Sequence, residues 1–227
     1  MSPQRPPYRS PLFSELRAIE AGDHQRLIRE YEEKEERIGQ LDPQEYFELT
    51  VLYVDALFAT GAHRRHMQMV DLVIFTSIEQ NIQFLNGEDV YERMLFQKAM
   101  SAYRLQDYPT TEHITRELLR IYPSQKIHEH LLVNALFQQE RTLLQLGRAT
   151  AIFCVLLTAL VIVLDLLIVK NFYPDWHSAM LWLRNIAFIS GLVGYASFYG
   201  FAFYKSQQNA RRYVLAIDKK KHKTKNT

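Results

Sequence analysis

The sequence predicts an all-α fold in which a helical domain is followed by two transmembrane helices. Along residues 1–147, apolar residues recur at intervals of three and four, the spacing of a helix face buried against a neighbour. Alternation of the kind found in strands is hard to find, and Gly and Pro number only 8 each among 227 residues. Two apolar runs near the C-terminus have the length that a helix needs to cross a bilayer, about 20 residues.

Charge is distributed unevenly along the chain. Residues 1–148 contain 17 Lys and Arg against 22 Asp and Glu, a balance of −5, whereas residues 205–227 contain 8 against one, a balance of +7. An asymmetry of this size indicates that the two ends occupy different environments. The 48% hydrophobic content is typical of a packed core and excludes a disordered chain. The single cysteine, Cys154, excludes an intrachain disulfide.

The helical domain is expected to span residues 11–147, after a flexible lead-in over residues 1–10 that lacks a secretory signal. Asp42 has the position of an N-cap, and Pro43 that of the first helical residue. Three turn-like segments separate paired amphipathic helices. They lie at residues 20–25, 59–64 and 104–112.

The spacing of these joints indicates a helical repeat. Gly22 and Gly61 are 39 residues apart, and Gln106 lies 45 residues beyond. Helix–turn–helix units at such intervals are typical of repeat arrays, in which each unit buries its apolar face against the next.

Residues 101–125, "SAYRLQDYPTTEHITRELLRIYPSQ", resemble the second half of a tetratricopeptide repeat. A Tyr precedes the turn, Leu118 stands where a residue faces the partner helix, and a proline closes the unit. The segment "DALFATGAHRRHMQMV" resembles the same half more weakly. No Trp opens any unit, and His66 and Thr111 stand where the family usually has a small Ala. The resemblance implies a helical-hairpin solenoid, and a plain helical bundle is the alternative.

The last helix of the domain begins near Gln125 and is expected to continue directly into the first span. Only Gly147 weakens the helical pattern, by about 1 kcal/mol. Such a continuous helix would dock the domain rigidly at the membrane surface.

Residues 148–205 predict a transmembrane helical hairpin with spans at about 149–169 and 185–204. The alternative is a pair of buried core helices, which is unusual for two such runs so close together. The turn between the spans contains aromatic residues typical of the bilayer–water interface. These are Phe172, Tyr173, Trp176 and Trp182.

The distribution of Lys and Arg predicts the orientation of this integral membrane protein. Only Lys170 and Arg184 flank the turn, whereas the excess lies before the first span and after the second. Both termini are therefore expected in the cytoplasm, at the plasma membrane or, in a bacterium, the inner membrane. The basic tail, residues 206–227, is expected to contact anionic headgroups, although fixing the topology alone would also explain it. Nucleic acid is not an expected partner. The headgroup contacts would be Arg211, Arg212, Lys219, Lys220 and Lys221.

Small residues on the second span predict close helix packing, either against the first span or between copies of the chain. They are Ser190, Gly191, Gly194, Ser197 and Gly200. Near the outer end of the first span, Asp165 is expected to pair with Arg184, or as a second choice with Lys170, and so to clasp the hairpin. The alternative is a carboxyl that is protonated or reaches headgroup water alone.

The sequence offers only weak candidates for catalytic or metal-binding residues. His63 and His66 have a spacing that could share a metal, but no carboxylate completes the set, so a solvated turn and first helical step are expected. His128 and His130 would point to different helix faces. No phosphate-binding Gly-rich loop, nucleophile elbow or redox cysteine pair occurs. We therefore expect no catalytic, cofactor or metal site.

The expected function is that of a membrane-anchored helical-repeat scaffold, or adaptor, that binds an unidentified partner protein at the cytoplasmic face. One alternative is an effector whose hairpins oligomerise and permeabilise the membrane. Another is a subunit of a larger membrane complex that contributes no chemistry of its own.

Overall fold

The computed structural model describes residues 9–20, 22–170 and 174–225. This part of the chain is helical and contains ten α-helices, which confirms the all-α fold class. The chain divides into two compact units, Met1–Leu131 and Leu132–Thr227.

The N-terminal unit is built from helices that pack on one another in succession. Contacts join α2 to α4, α4 to α5, α5 to α6 and α6 to α7, and they enclose a core of Leu, Val, Ile, Phe and Tyr side chains. The helices are α1 (Pro11–Arg17), α2 (His24–Glu33), α3 (Glu35–Ile38), α4 (Pro43–Ala59), α5 (His63–Glu79), α6 (Val90–Arg104) and α7 (Tyr108–Ile121), followed by α8 (Lys126–Gln139), which crosses the unit boundary.

The three predicted joints are confirmed. Gly22, Gly61 and Gln106 have φ angles of 119°, 76° and 63°. At Gly61 and Gln106 this left-handed conformation ends a helix, and the following amide is hydrogen-bonded to a carbonyl of the last turn. Gly22 lies in the connection between α1 and α2, where glycine adopts a positive φ at no steric cost. Asp42 caps α4 as predicted, since its side chain accepts a hydrogen bond from the Gln44 amide at 3.1 Å.

A short β-hairpin precedes α6, at the segment "NGED" (Asn86–Asp89), where the sequence predicts that one helix ends and the next begins. Strand β1 (Phe84–Leu85) pairs antiparallel with β2 (Glu88–Asp89). Asn86 and Gly87 connect them with φ angles of 53° and 87°. Two left-handed residues are what a tight hairpin turn requires, and the Asn-Gly dipeptide is its sequence signal.

The C-terminal unit contains the rest of α8, then α9 (Arg141–Leu164), a π-helical turn (Asp165–Val169), a 3₁₀ turn (Pro174–Trp176) and α10 (His177–Lys225). The prediction of one continuous helix into the first span is wrong. Glu140 interrupts it with a ψ angle of 42°, although neither Gly nor Pro marks the position. The Glu140 carboxylate lies 2.6 Å from Lys205 Nζ on α10. A tertiary contact therefore accompanies the interruption.

Two helical segments are long and apolar enough to cross a membrane, Thr142–Val169 and Ser178–Ile217. Helix α10 has 49 residues, which at 1.5 Å per residue is about 70 Å, well beyond the ~30 Å of a hydrocarbon core.

Candidate functional site

A groove of about 340 Å³ lies between α1, the α1–α2 connection, α2 and α4. This is within the size range of ligand pockets, about 300–1,000 Å³. Its apolar lining comprises Leu16, Ile19, Leu27, Leu52 and Ala56. Its charged and polar lining comprises Arg17, Glu20, Asp23, His24 and Asp55. A recess of about 60 Å³ shares Arg17, Leu52 and Asp55 and extends to Leu85 and Arg93 on the α6 side.

The arginines of the groove and its recess, Arg17 and Arg93, are already held by carboxylates. Arg17 lies 3.2 Å from Glu48, and Arg93 lies 3.2 Å from Asp55 and 3.1 Å from Glu88. Burial raises the pKa of the Asp55 carboxyl, while Arg93 and a hydrogen bond from Gln97 oppose that rise. The carboxylate is held in one orientation because a different partner contacts each of its oxygens.

A chain of side-chain hydrogen bonds leads from Asp55 into the core. Gln97 Nε2 donates to Asp55 Oδ1 at 2.8 Å, and Gln97 Oε1 lies 3.4 Å from His66 Nε2. His66 Nδ1 is 3.0 Å from Ser101 Oγ, which is in turn 3.2 Å from His63 Nδ1. The side chains of His66 and Ser101 are fully buried. Buried polar groups persist in a core when they are hydrogen-bonded in this way.

The direction of each hydrogen bond in this series follows from the chemistry of Asp55 at its end. An ionised Asp55 can only accept, so the Gln97 amide donates to it, and the Gln97 oxygen then accepts from His66 Nε2–H. His66 Nδ1 is left with a lone pair that accepts the Ser101 hydroxyl, and Ser101 Oγ accepts from His63 Nδ1–H. Burial lowers the pKa of His66 to about 4. His66 is therefore a neutral core residue at pH 7.

The sequence predicts a solvated turn and first helical step at residues 63–66; α5 does begin at His63, but the expected solvation is wrong for His66, which is fully buried. This residue begins the buried face of α5, which continues through Val70, Val73 and Ser77. Its ring also lies 5.4 Å from the Phe58 ring. The signal was present in the sequence, because positions 66, 70, 73 and 77 have helical spacing. The apolar pattern alone does not reveal this buried face, because two of its four residues, His66 and Ser77, are polar.

Among the described residues, no group of three His, Cys, Asp or Glu side chains comes together as metal ligands would. The Ser101 hydroxyl and the two histidines have hydrogen-bond geometry, but Ser101 is fully buried. A substrate could not reach it without unfolding of the surrounding helices.

In the C-terminal unit, Asp165 opens the π-helical turn and is 9% exposed, whereas neighbouring Leu167 is 65% exposed. A π-turn adds about one residue per turn and so changes which side chains face the packed side. Within the described part of the chain, Asp165 and Arg184 do not form an ion pair with each other. Arg184 Nε and Nη2 lie 3.4 Å from Asn185 Oδ1. The clasp stays a prediction.

The predicted packing residues of α10 fall into two groups. Gly191 and Gly194 face α9: a Cβ atom at Gly191 would lie 2.5 Å from Cys154 Cβ, and one at Gly194 would lie 3.7 Å from Thr150. Ser190, Ser197 and Gly200 are exposed. The first group lets the two helices approach closely, and the second is left on the outer surface.

The basic tail belongs to α10, which continues as helix to Lys225. Arg211 and Arg212 begin about 10 Å along the helix axis beyond Tyr204, where the predicted span ends, whereas Lys219 begins about 22 Å beyond it. The side chains of Lys219, Lys220 and Lys221 lie outside the described part of the structure, as do the turn aromatics Phe172 and Tyr173. Trp176 and Trp182 are described and are 64% and 70% exposed.

The chain matches no protein-family model, no curated protein and no solved structure.

Proposed function

We propose that this protein is a membrane-anchored adaptor. Its N-terminal unit is a tetratricopeptide-like solenoid that binds a segment of a partner protein at the cytoplasmic face, and α9 and α10 anchor it in the bilayer. The observation that carries the proposal is the groove lined by α1, α2 and α4, which combines an apolar lining with charged side chains. Binding sites for peptides and partner domains commonly have this composition.

Contacts between alternate helices support the solenoid. The Arg17–Glu48 ion pair, at 3.2 Å, joins α1 to α4. The Asp55–Arg93 ion pair joins α4 to α6, and the ring of Phe96 on α6 lies 5.5 Å from that of His128 on α8. In a solenoid of helical hairpins, equivalent helices of successive repeats stack in this way, and they form the surface on which ligands bind.

The exposure of apolar side chains supports the anchor. Phe153, Leu156, Leu167 and Leu192 are each 64–65% exposed, although they lie on the two helical segments that are long and apolar enough to cross a membrane. A soluble protein rarely exposes a continuous apolar surface of this kind, and lipid tails would cover it. The excess of Lys and Arg outside the turn supports a cytoplasmic location of both termini.

The topology can be tested with single cysteines in a chain that lacks Cys154. A cysteine introduced by His177→Cys should react with a membrane-impermeant maleimide added outside intact cells. One introduced by Thr224→Cys should react only after permeabilisation. The reverse pattern would place the N-terminal unit outside the cell.

Partner binding can be tested by photo-crosslinking from the full chain in its native membrane. Benzoylphenylalanine at Leu27 or Leu52 should give one discrete adduct, whose cross-linked residues map by mass spectrometry to one contiguous segment of one protein. The matched control is the same substitution at Phe75, which is 63% exposed on α5, outside the groove lining. Equal adducts from Phe75 and from the groove would remove the support for a specific binding surface.

A second function, oligomerisation of hairpins in the membrane, is favoured by one observation. Ala196 and Gly200, four residues apart, are both exposed on α10, and a Cβ atom at Gly200 would meet nothing within 4 Å. Such a pair can pack against a second copy of the chain. Gly200→Leu should then abolish cross-linked oligomers in the membrane. Oligomers that persist unchanged, or a parent chain that is monomeric in lipid, would contradict this function.

A further inference from the structure

The charges of the groove do not balance. Counting the groove and its recess together, the lining contributes Arg17 and Arg93 against the carboxylates of Glu20, Asp23, Glu48 and Asp55. Glu48 and Asp55 are the partners of the two arginines. Glu20 and Asp23, at the α1–α2 connection, therefore remain as excess negative charge, and neither forms an ion pair within the described part of the chain.

We propose that the groove selects a cationic and apolar segment of its partner, with a Lys or Arg side chain at the Glu20–Asp23 end and aliphatic side chains against Leu27 and Leu52. This inference rests on the proposed function, because it names the chemistry of the segment that the groove binds. The acidic end and the apolar lining belong to one cavity, so a single short segment can satisfy both.

The pairing of the arginines excludes the opposite charge preference. An acidic segment would have to displace Glu48 from Arg17 or Asp55 from Arg93, and it would meet Glu20 and Asp23 with no cation to offset them. Arg93 is the less available of the two, because Glu88 also lies 3.1 Å from it. A cationic segment can bind Glu20 and Asp23 without breaking any ion pair. Complementary charges of this kind decide between partners.

The roles of the carboxylates differ. Both oxygens of Asp55 are engaged, by Gln97 at 2.8 Å and by Arg93 at 3.2 Å, so Asp55 fixes the wall of the groove. Asp23 Oδ1 accepts a hydrogen bond from the Arg26 amide at 3.2 Å, which orients its carboxylate at the start of α2. Glu20 is exposed on the same connection. The cation is therefore recognised by Glu20 and Asp23.

The test uses the full chain in nanodiscs of phosphatidylcholine. A phage library of random decapeptides is depleted on empty nanodiscs and then selected on the loaded ones. We expect the enriched peptides to combine Lys or Arg with aliphatic residues. Their affinity, measured by fluorescence polarisation of labelled synthetic copies, should fall about tenfold, equivalent to about 1.4 kcal/mol, in Glu20→Gln/Asp23→Asn. The charge-matched control, Glu33→Gln/Glu36→Gln on the exposed side of α2 and α3, should change it less than twofold.

A third variant, Leu52→Gln, reports on the groove itself, since Leu52 lines both the groove and its recess. Peptides that lose affinity in Leu52→Gln but not in Glu20→Gln/Asp23→Asn would overturn the cationic preference and leave the adaptor function standing. The same holds if the enriched peptides are acidic or uncharged. If no peptide is enriched, or none responds to Leu52→Gln, both the cationic preference and binding in the groove are overturned.

Discussion

Acidification should destabilise the N-terminal unit through His66. This side chain is fully buried, donates from Nε2 to Gln97 and accepts at Nδ1 from Ser101. Burial lowers its pKa from 6.5 to about 4. Because the folded-state pKa lies below that of the unfolded chain, the unfolded state binds the proton more tightly. Stability is therefore fully present above pH 6.5 and is lost as the pH falls toward 4.

The magnitude follows from the two pKa values. Between pH 7 and pH 4.5, the difference in proton binding amounts to about 2.5 kcal/mol of unfolding free energy. Asp55 acts in the opposite direction, because its raised pKa lets the folded state take up a proton more readily as the pH falls. A comparison between variants that differ only at His66 separates the two effects, since both retain Asp55.

The assay is hydrogen exchange of amides in α5 and α6 of the full chain, corrected for the intrinsic pH dependence of exchange. The parent should lose about 2.5 kcal/mol more than His66→Gln between pH 7 and pH 4.5. His130→Gln, on the exposed side of α8, is the matched control and should lose as much as the parent. If parent and His66→Gln lose the same free energy to within about 0.5 kcal/mol, the folded-state pKa of His66 is ordinary and the argument from burial fails.

Three further changes test other parts of the structure. Ser101→Ala removes the donor to His66 Nδ1 and the acceptor of His63 Nδ1–H. It should therefore lower the unfolding free energy measured by hydrogen exchange of α5 and α6 by about 1–3 kcal/mol. An unchanged free energy would contradict the series of hydrogen bonds. Gly191→Ala should lower the melting temperature in detergent, through about 1–3 kcal/mol of overpacking, because its Cβ would lie 2.5 Å from α9, whereas Gly200→Ala should leave that temperature unchanged. Asp165→Arg and Arg184→Asp should each reduce membrane accumulation and the double exchange should restore much of it, whereas an Asp165→Leu chain as stable as the parent would rule out the clasp.

The sequence by itself predicted the helical class, the three joints and the two membrane-length helices. These features depend on local interactions. A left-handed glycine ends a helix, an apolar residue every three or four positions defines a buried face, and about 20 apolar residues reach across a bilayer. Asp42 and Pro43 could be placed at the start of α4 for the same reason. The Asn86–Gly87 turn also had a local signal, although it was interpreted as a helix boundary.

Only the tertiary structure decided where the groove lies and what the polar residues of α5 and α6 do. Asp55 and Arg93 are 38 positions apart, as are His63 and Ser101. Whether such residues meet depends on how successive helices pack, which a helical period does not specify. For the same reason, the sequence could not show that Glu140 interrupts the helix before the first span, beside Lys205, or that Gly191 rather than Gly200 contacts α9. A helix pattern shows which residues share a face; the neighbouring helix determines what that face contacts.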